Sequence, residues 1–240
     1  MTLPLISPAW SAPANIEAYA TTRLGGVSLP PYNALNLGAH VGDAPGAVQT
    51  NRAALPYADA ITWLNQTHSN KVVMLPGNDI NGDAAISRTP GVFCAVMTAD
   101  CVPVILCDSD GTEVAAIHAG WKGLDSQIIR ATVAAMTAPA EKLMAWVGPA
   151  ISKACYEVDR ELAERFKEWP DAVAFTSKDK GVIDLAQIAA QQLRSVGVGA
   201  ICDSKHCTYT EDELFFSHRR ASHQGLATTG RIATVIGIRP

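Results

Sequence analysis

A chain of 240 residues, 48% of them hydrophobic and carrying a formal net charge of -4, can bury one substantial core, and its composition excludes a disordered or fibrous protein. Its 19 lysines and arginines are scattered rather than gathered in blocks, so there is no electrostatic footprint for nucleic acid or anionic lipid, and the expected partner is a small molecule. The six cysteines include no pair at the spacing of a zinc knuckle or a dithiol redox motif, and most are expected to be free thiols packing as small hydrophobes in a reducing compartment.

The first ten residues, MTLPLISPAW, have no basic residue ahead of their apolar stretch and contain Pro4 and Pro8. They do not read as a secretory signal, and the expected location is the cytoplasm. Residues 16–22 are extended and run into RLGGVSLPPYNALNLG, whose glycines, prolines and asparagines predict a long functional loop. A helix starts near Asp43 with Pro45 in its first turn.

Short strands follow around 61–65, 71–75, 91–98, 102–107 and 112–117, separated by breakers such as Pro76, Gly77, Pro90 and Gly91. The apolar window 91–107 has Asp100 and Pro103 near its centre. An aspartate at a membrane midpoint costs about 3 kcal/mol, so two soluble strands are expected there. Leu124, Ile128, Ile129, Val133 and Met136 recur at helical spacing and predict one helix over 124–136, closed by Pro139.

A strand at 143–147 then leads to GPAI, with helices over about 159–168 and 184–196. Asp184 can cap the second of these and Gly197 can end it. The last strand lies at 231–237, and strands grouped between a few helices predict an α/β or α+β chain with a mixed sheet, folded as one domain over 1–240.

Cys101 lies between Asp100 and Val102 at a sharp connection between two apolar strands, whereas Cys94 and Cys107 read as core cysteines. His118 ends the apolar EVAAIHAG and precedes GWKG, a strand-to-helix turn whose N–H groups and Lys122 could face an anion. His68 sits in the polar loop NQTHSNK. Two imidazoles and a thiolate form either an open metal site with a free position for water or a thiolate paired with a base; the donor set suits zinc and also copper. His206, between Cys202 and Cys207, matches no common ligand spacing, and His218, Arg219 and Arg220 form a basic patch after Phe215 and Phe216.

TTRLGGVS, NLG followed by GD and NR, QTH, TADCVPV, IHAGWKG, WVGPAI, CTYTEDELFFSHRR and GR resemble, in this order, the motifs of the bacterial polyphenol oxidase or laccase-domain family. That family is also described as multifunctional purine nucleoside phosphorylases and includes the peptidoglycan editing factor. The resemblance implies a single-domain α/β fold layered α/β/β/α with mixed sheets, similar to the catalytic domain of the cytotoxic necrotizing factor toxins. It further implies that His68, Cys101 and His118 are metal ligands, usually for zinc and sometimes for copper.

The implied activities are phosphorolysis of adenosine, inosine and methylthioadenosine and hydrolytic deamination of adenosine. Arg23, Asn36, Lys122 and Arg219 are the expected substrate-binding residues, with Arg23, Lys122 and Arg219 toward phosphate; Lys122 stands where many members have arginine, which gives up bidentate geometry. Asp100 or Asp83 would carry the proton in deamination. An amidase removing L-serine from UDP-MurNAc-L-Ser is the alternative, with Cys101 as nucleophile and His118 as base, or with a metal-activated water. A trinuclear copper cluster with a blue copper needs more imidazoles than six histidines can supply, which leaves phenol oxidation as a minor copper-dependent activity. A monomer is expected.

Overall fold

The computed structural model describes residues 3–240, so Met1 and Thr2, the start of the segment read above for a signal, lie outside it. The strands in chain order are β1 (Leu5–Ile6), β2 (Ile16–Thr21), β3 (Ile61–Trp63), β4 (Val72–Leu75), β5 (Ala84–Ser87), β6 (Phe93–Thr98), β7 (Val102–Asp108), β8 (Val114–Ala119), β9 (Leu143–Val147), β10 (Glu157–Asp159), β11 (Val173–Phe175), β12 (Lys180–Ile183), β13 (Ala200–Asp203) and β14 (Ile232–Ile238). The helices are α1 (Pro45–Ala53), α2 (Trp121–Asp125), α3 (Ile128–Ala135), α4 (Arg160–Glu164), α5 (Leu185–Ser195) and α6 (His218–His223). None is long and apolar enough to cross a membrane.

The strands form a five-stranded sheet in the order β1-β2-β14-β6-β3, a six-stranded sheet in the order β13-β9-β7-β8-β5-β4, and a small sheet β10-β12-β11. The two larger sheets are mixed: β3 runs parallel to β6, β4 to β5 and β13 to β9, and their other pairings are antiparallel. They stack face to face over Val96, Ile236, Ile105, Ala116 and Trp146. The outer face of the six-stranded sheet is covered by α2, α3 and α5 through Val104, Ile117, Leu124, Ile129 and Ile188. Leu35, Leu37 and Leu55 cover Tyr19, Phe93 and Val235 on the outer face of the five-stranded sheet. The chain is an α/β fold with mixed sheets, as the strand grouping implied.

Alternation along the central hairpin decides what faces the space between the sheets. In β7 and β8, Ile105, Cys107, Val114 and Ala116 point toward the five-stranded sheet. His118, paired with Pro103, has the same parity as Val114 and Ala116, so the pattern that buries a core also aims an imidazole into the open end of the inter-sheet layer.

One predicted helix is corrected. Residues 124–136 are split between α2 and α3, with Gln127 at a left-handed φ of 64° between them. The hydroxyl of Ser126 donates to the carbonyls of Lys122 and Gly123 at the break. All five apolar residues of the pattern still reach one core; periodicity reports which side chains face the interior and says nothing of backbone continuity. Asp184 caps α5 by accepting from Gln187 N at 2.9 Å, as its sequence suggested. The strands β1, β5 and β10 to β13 and the helix α6 went unanticipated, because segments of two to six residues carry too little periodicity to register.

Candidate metal centre and its two cavities

Three chain segments meet at the open end of the two stacked sheets. The loop after β3 leaves the five-stranded sheet for β4 of the six-stranded one and carries His68, and the connection from β6 to β7 makes the same crossing and carries Cys101. His118 arrives at the end of β8. The candidate ligand atoms of the three side chains all lie within 4.8 Å of one another. His68 is exposed, Cys101 partly buried and His118 buried, an arrangement with one side open to a substrate. Among the described residues this is the one group of three or more such side chains that could hold an ion.

Both crossings are held in uncommon backbone conformations: His68 has φ 61° and Asp100 has φ 95°. Such values persist where surrounding contacts over-determine them. Asp100 is fixed on every side. Its carboxylate accepts from Thr208 Oγ1 at 2.7 Å and from Arg219 N at 2.7 Å, and its carbonyl accepts from Ile151 N at 3.0 Å.

Asp83, just before β5, ties the two histidines together. Its buried carboxylate lies 2.8 Å from Nδ1 of His118 and accepts from the backbone N–H groups of His68 at 3.0 Å and Ser69 at 2.7 Å, and from the Ser69 hydroxyl at 2.7 Å. Burial pushes the carboxyl up, but the hydrogen bonds from His118 and Ser69 outweigh it and hold Asp83 well below the ordinary carboxylate range. A carboxylate on Nδ1 fixes the ring and leaves Nε2 as the donor atom, the usual outer support of a metal-ligating histidine.

The centre is electrostatically prepared to be a thiolate. Burial pushes the Cys101 thiol up, yet the charge and hydrogen bonds of His118 and His68 bring it down to about 6. Burial pushes His118 down, and Cys101 and Asp83 more than reverse this, raising it to about 9. Cys94 and Cys107 are the contrast, since burial drives both up to about 12 and they behave as the core residues the sequence indicated.

A divalent ion fits this donor set. A tetrahedral zinc ion spaces its N and S donors about 3.3–3.8 Å apart, so side-chain shifts of about an ångström close the three around it and leave a fourth position open. Space is kept clear at Gly120: a Cβ there would lie 2.9 Å from Cys101 Sγ and 3.4 Å from a His68 ring carbon. Any larger residue would push into the ligands.

Two cavities flank the cluster and share His68, Ala99, Cys101 and His218. One, of about 210 Å³, is walled by Trp121, Ile151, Tyr156 and Leu185, with Asp100 and Arg219 at its polar side. The other, of about 310 Å³, holds His40, Gln66, His118 and Arg231. Of the residues singled out from sequence, the structure brings together His68, Cys101, His118, Asp100 and Arg219.

The structure does not bring the other predicted site residues to the cluster. Arg23 lies over Phe216 and donates to the carbonyls of Asn33 and Asp212, lining separate grooves. Asn36 is fully buried with its amide saturated: Nδ2 donates to Gly38 O and Asp43 Oδ2, and Oδ1 accepts from Gly38 N and Arg231 N. Lys122 is exposed on α2 and lines neither cavity. Asp83 is likewise absent from both cavity walls, which makes it a positioning residue. The basic patch divides, for Arg220 stitches the carbonyls of Thr208, Tyr209 and Phe215 while His218 and Arg219 face the cleft. His206 pairs with Glu211 and belongs to no metal cluster among the described residues. His40, Tyr156 and Arg231 escaped the sequence reading, although Arg231 ends the GR motif that contributed to the resemblance.

The family described as multi-copper polyphenol oxidoreductase laccase matches residues 17–239. Purine nucleoside phosphorylase YfiH of Escherichia coli is 46% identical, with 97% of this chain and 98% of the relative aligned. A purine nucleoside phosphorylase of Haemophilus influenzae is 42% identical, covering 96% and 98%. The crystal structure of Neisseria meningitidis protein NMB0706 superposes with a TM-score of 0.89 at 41% identity, covering 98% of this chain and 99% of that one. YlmD from Geobacillus stearothermophilus superposes with a TM-score of 0.85 at 30% identity, covering 95% and 93%.

Proposed function

Since this chain belongs to the multi-copper polyphenol oxidoreductase laccase family, we propose that it is a metal-dependent purine nucleoside enzyme whose main reaction is phosphorolysis of adenosine, inosine or methylthioadenosine. The observation that carries this reading is the pair of cavities, one apolar and aromatic and one cationic, that join at His68 and Cys101. A nucleoside has the same division into an aromatic base and a polar sugar. Relatives named purine nucleoside phosphorylase, aligned over nearly their whole length, support it.

In this reading the purine enters between Trp121 and Tyr156, and Ile151 and Leu185 exclude water from its faces. Arg219, stacked 4.9 Å from the Tyr156 ring and donating to Glu157 O, braces that wall. The ribose then lies over the ligand cluster. His68, Cys101 and His118 would hold zinc, with copper as the second choice for the same donors. An ion held there would supply Lewis-acid polarisation of a substrate oxygen. Asp83 keeps the His118 ring turned toward it. Deamination ranks below phosphorolysis, because Asp83 lines neither cavity and both carboxylate oxygens of Asp100 are engaged. One cluster of three donors supplies no multinuclear copper site, which keeps phenol oxidation a minor activity.

A second reading rests on the lowered thiol. Cys101, His118 and Asp83 also stand in the order of a nucleophile, its base and the group orienting that base, which suits removal of L-serine from UDP-MurNAc-L-Ser. The deciding experiment incubates the purified protein, with metal content measured, with inosine plus phosphate and separately with UDP-MurNAc-L-Ser. Ribose 1-phosphate and hypoxanthine are the expected products. Serine release with no ribose 1-phosphate would replace the first reading by the second.

A further inference from the structure

The cavity beside Arg231 has one permanent cation on its wall, and Cys101 is the only group there that can balance it. His40, His68, His118, His218 and Arg231 line it, and no carboxylate does. Gln66 is already spent, its amide donating to Met97 O and accepting from Met97 N. Arg231 is anchored through one nitrogen, Nη1, which donates to Thr229 O and Gly230 O. Among the described residues its Nε and Nη2 have no partner. Desolvation lowers the Arg231 pKa against the pull of Cys101 and Asp100, and His40, though exposed, is held below its ordinary value by partial desolvation and by Arg231, Arg52, His68 and His118. A partly buried guanidinium with two free donors facing a cavity without carboxylates suits an oxyanion.

We propose that this cavity is the phosphate subsite, in which Nε and Nη2 of Arg231 grip a tetrahedral oxyanion between His40 and His218. The assignment to inorganic phosphate rests on the phosphorolysis reading above. In that reaction a phosphate oxygen forms the bond to C1′ as the bond from C1′ to N9 breaks. The electron pair leaves with the purine, which takes a proton from solvent. Nucleophile and leaving base occupy opposite sides of C1′, and the two cavities flank the cluster in the same way. Arg219 belongs to the base side, while Arg23 and Lys122 reach neither side.

The test is calorimetric titration of inorganic phosphate into the zinc-loaded protein, beside the KM for phosphate and for inosine. Arg231→Gln is expected to weaken phosphate binding by about 30-fold or more, the scale on which one partner of a desolvated charge pair is lost, while the KM for inosine stays within about twofold. His40→Gln, an exposed position with no protein hydrogen bond to lose, should weaken it a few-fold and serves if Arg231→Gln does not fold. Arg219→Gln should leave phosphate binding within about twofold and raise the KM for inosine.

Loss of phosphate binding in Arg219→Gln with retention in both other variants would overturn the subsite, as would no phosphate binding to the wild type. Tighter binding of UDP than of inorganic phosphate at Arg231 would overturn the assignment to the free ion. Phosphate binding that depends on Arg231 without any ribose 1-phosphate formed would uphold the subsite while removing the reaction.

Discussion

The two ends of the β7–β8 hairpin bury carboxylates in similar ways and to different effect. At the turn, Asp108 accepts from Thr112 N, Glu113 N and the Thr112 hydroxyl, and Glu113 accepts from Thr137 N and Ala138 N and pairs with Arg88. All these partners are backbone groups, a hydroxyl or a permanent cation, so the carboxylates act as loop clamps. At the open end, Asp83 accepts from backbone N–H groups too, but one of its partners is the imidazole of His118, whose other nitrogen faces Cys101 and a cavity. A buried carboxylate becomes part of a functional site when it saturates a group that still has chemistry left to do.

Removing the thiolate gives the largest effect that this contrast implies. Cys101→Ala should drop bound zinc from near stoichiometric to about a tenth or less and abolish turnover, with the thermal midpoint of the metal-free form little changed; metal analysis and calorimetry check both. Gly120→Ala should also lose metal, since its Cβ would meet Cys101 Sγ. Retained stoichiometric zinc in Cys101→Ala would remove the cysteine from the ligand set.

Asp83→Asn and Asp108→Asn break the comparison directly. Each loses hydrogen bonds to a buried carboxylate and should cost about 1–3 kcal/mol of stability. Only Asp83→Asn should also weaken zinc binding, by about 10–100-fold. Equal zinc affinity in the two variants would reduce Asp83 to another loop clamp.

Two pH experiments follow at smaller scale. In metal-free protein Cys101 should alkylate with a midpoint near pH 6, while Cys94 and Cys107, pushed up to about 12, stay unreactive until unfolding; zinc should protect Cys101. The Asp83 carboxyl is depressed in the folded chain, so its stabilisation is present above the unfolded value of about 3.9 and is lost as pH falls through the folded value. The stability curves of wild type and Asp83→Asn should differ at neutral pH and converge below about pH 4, the wild type falling more steeply. The smallest effect belongs to Lys122→Ala, for which kcat/KM should stay within about twofold, because that side chain lines neither cavity.

His68, Cys101 and His118 were legible because each is a polar or nucleophilic residue beside apolar strands or within a distinctive motif, and Arg219 because it stands in a basic cluster. Arg23, Asn36 and Lys122 looked equally apt by residue type and motif, yet their side chains turn to a carbonyl, a closed hydrogen-bond ring and solvent. His40, Tyr156 and Arg231 come from three distant stretches, and nothing in the short GR motif ties Arg231 to the other two. A cavity wall assembled across the chain leaves no periodicity to read.

By itself the sequence determined the strand and helix pattern that makes a mixed α/β chain, which follows from residue chemistry and short-range spacing, and it singled out His68, Cys101 and His118 as polar residues bordering apolar strands or set in distinctive motifs. Only the tertiary structure decided that β6 and β7, adjacent in sequence, belong to different sheets, so that the crossings carrying His68 and Cys101 open beside His118. Only it made Asp83 their common support and placed Arg231 on the cleft wall with Nε and Nη2 unpartnered among the described residues. Sheet stacking is a long-range choice, settled by which apolar faces bury each other, and the site is what that choice leaves at the uncovered end.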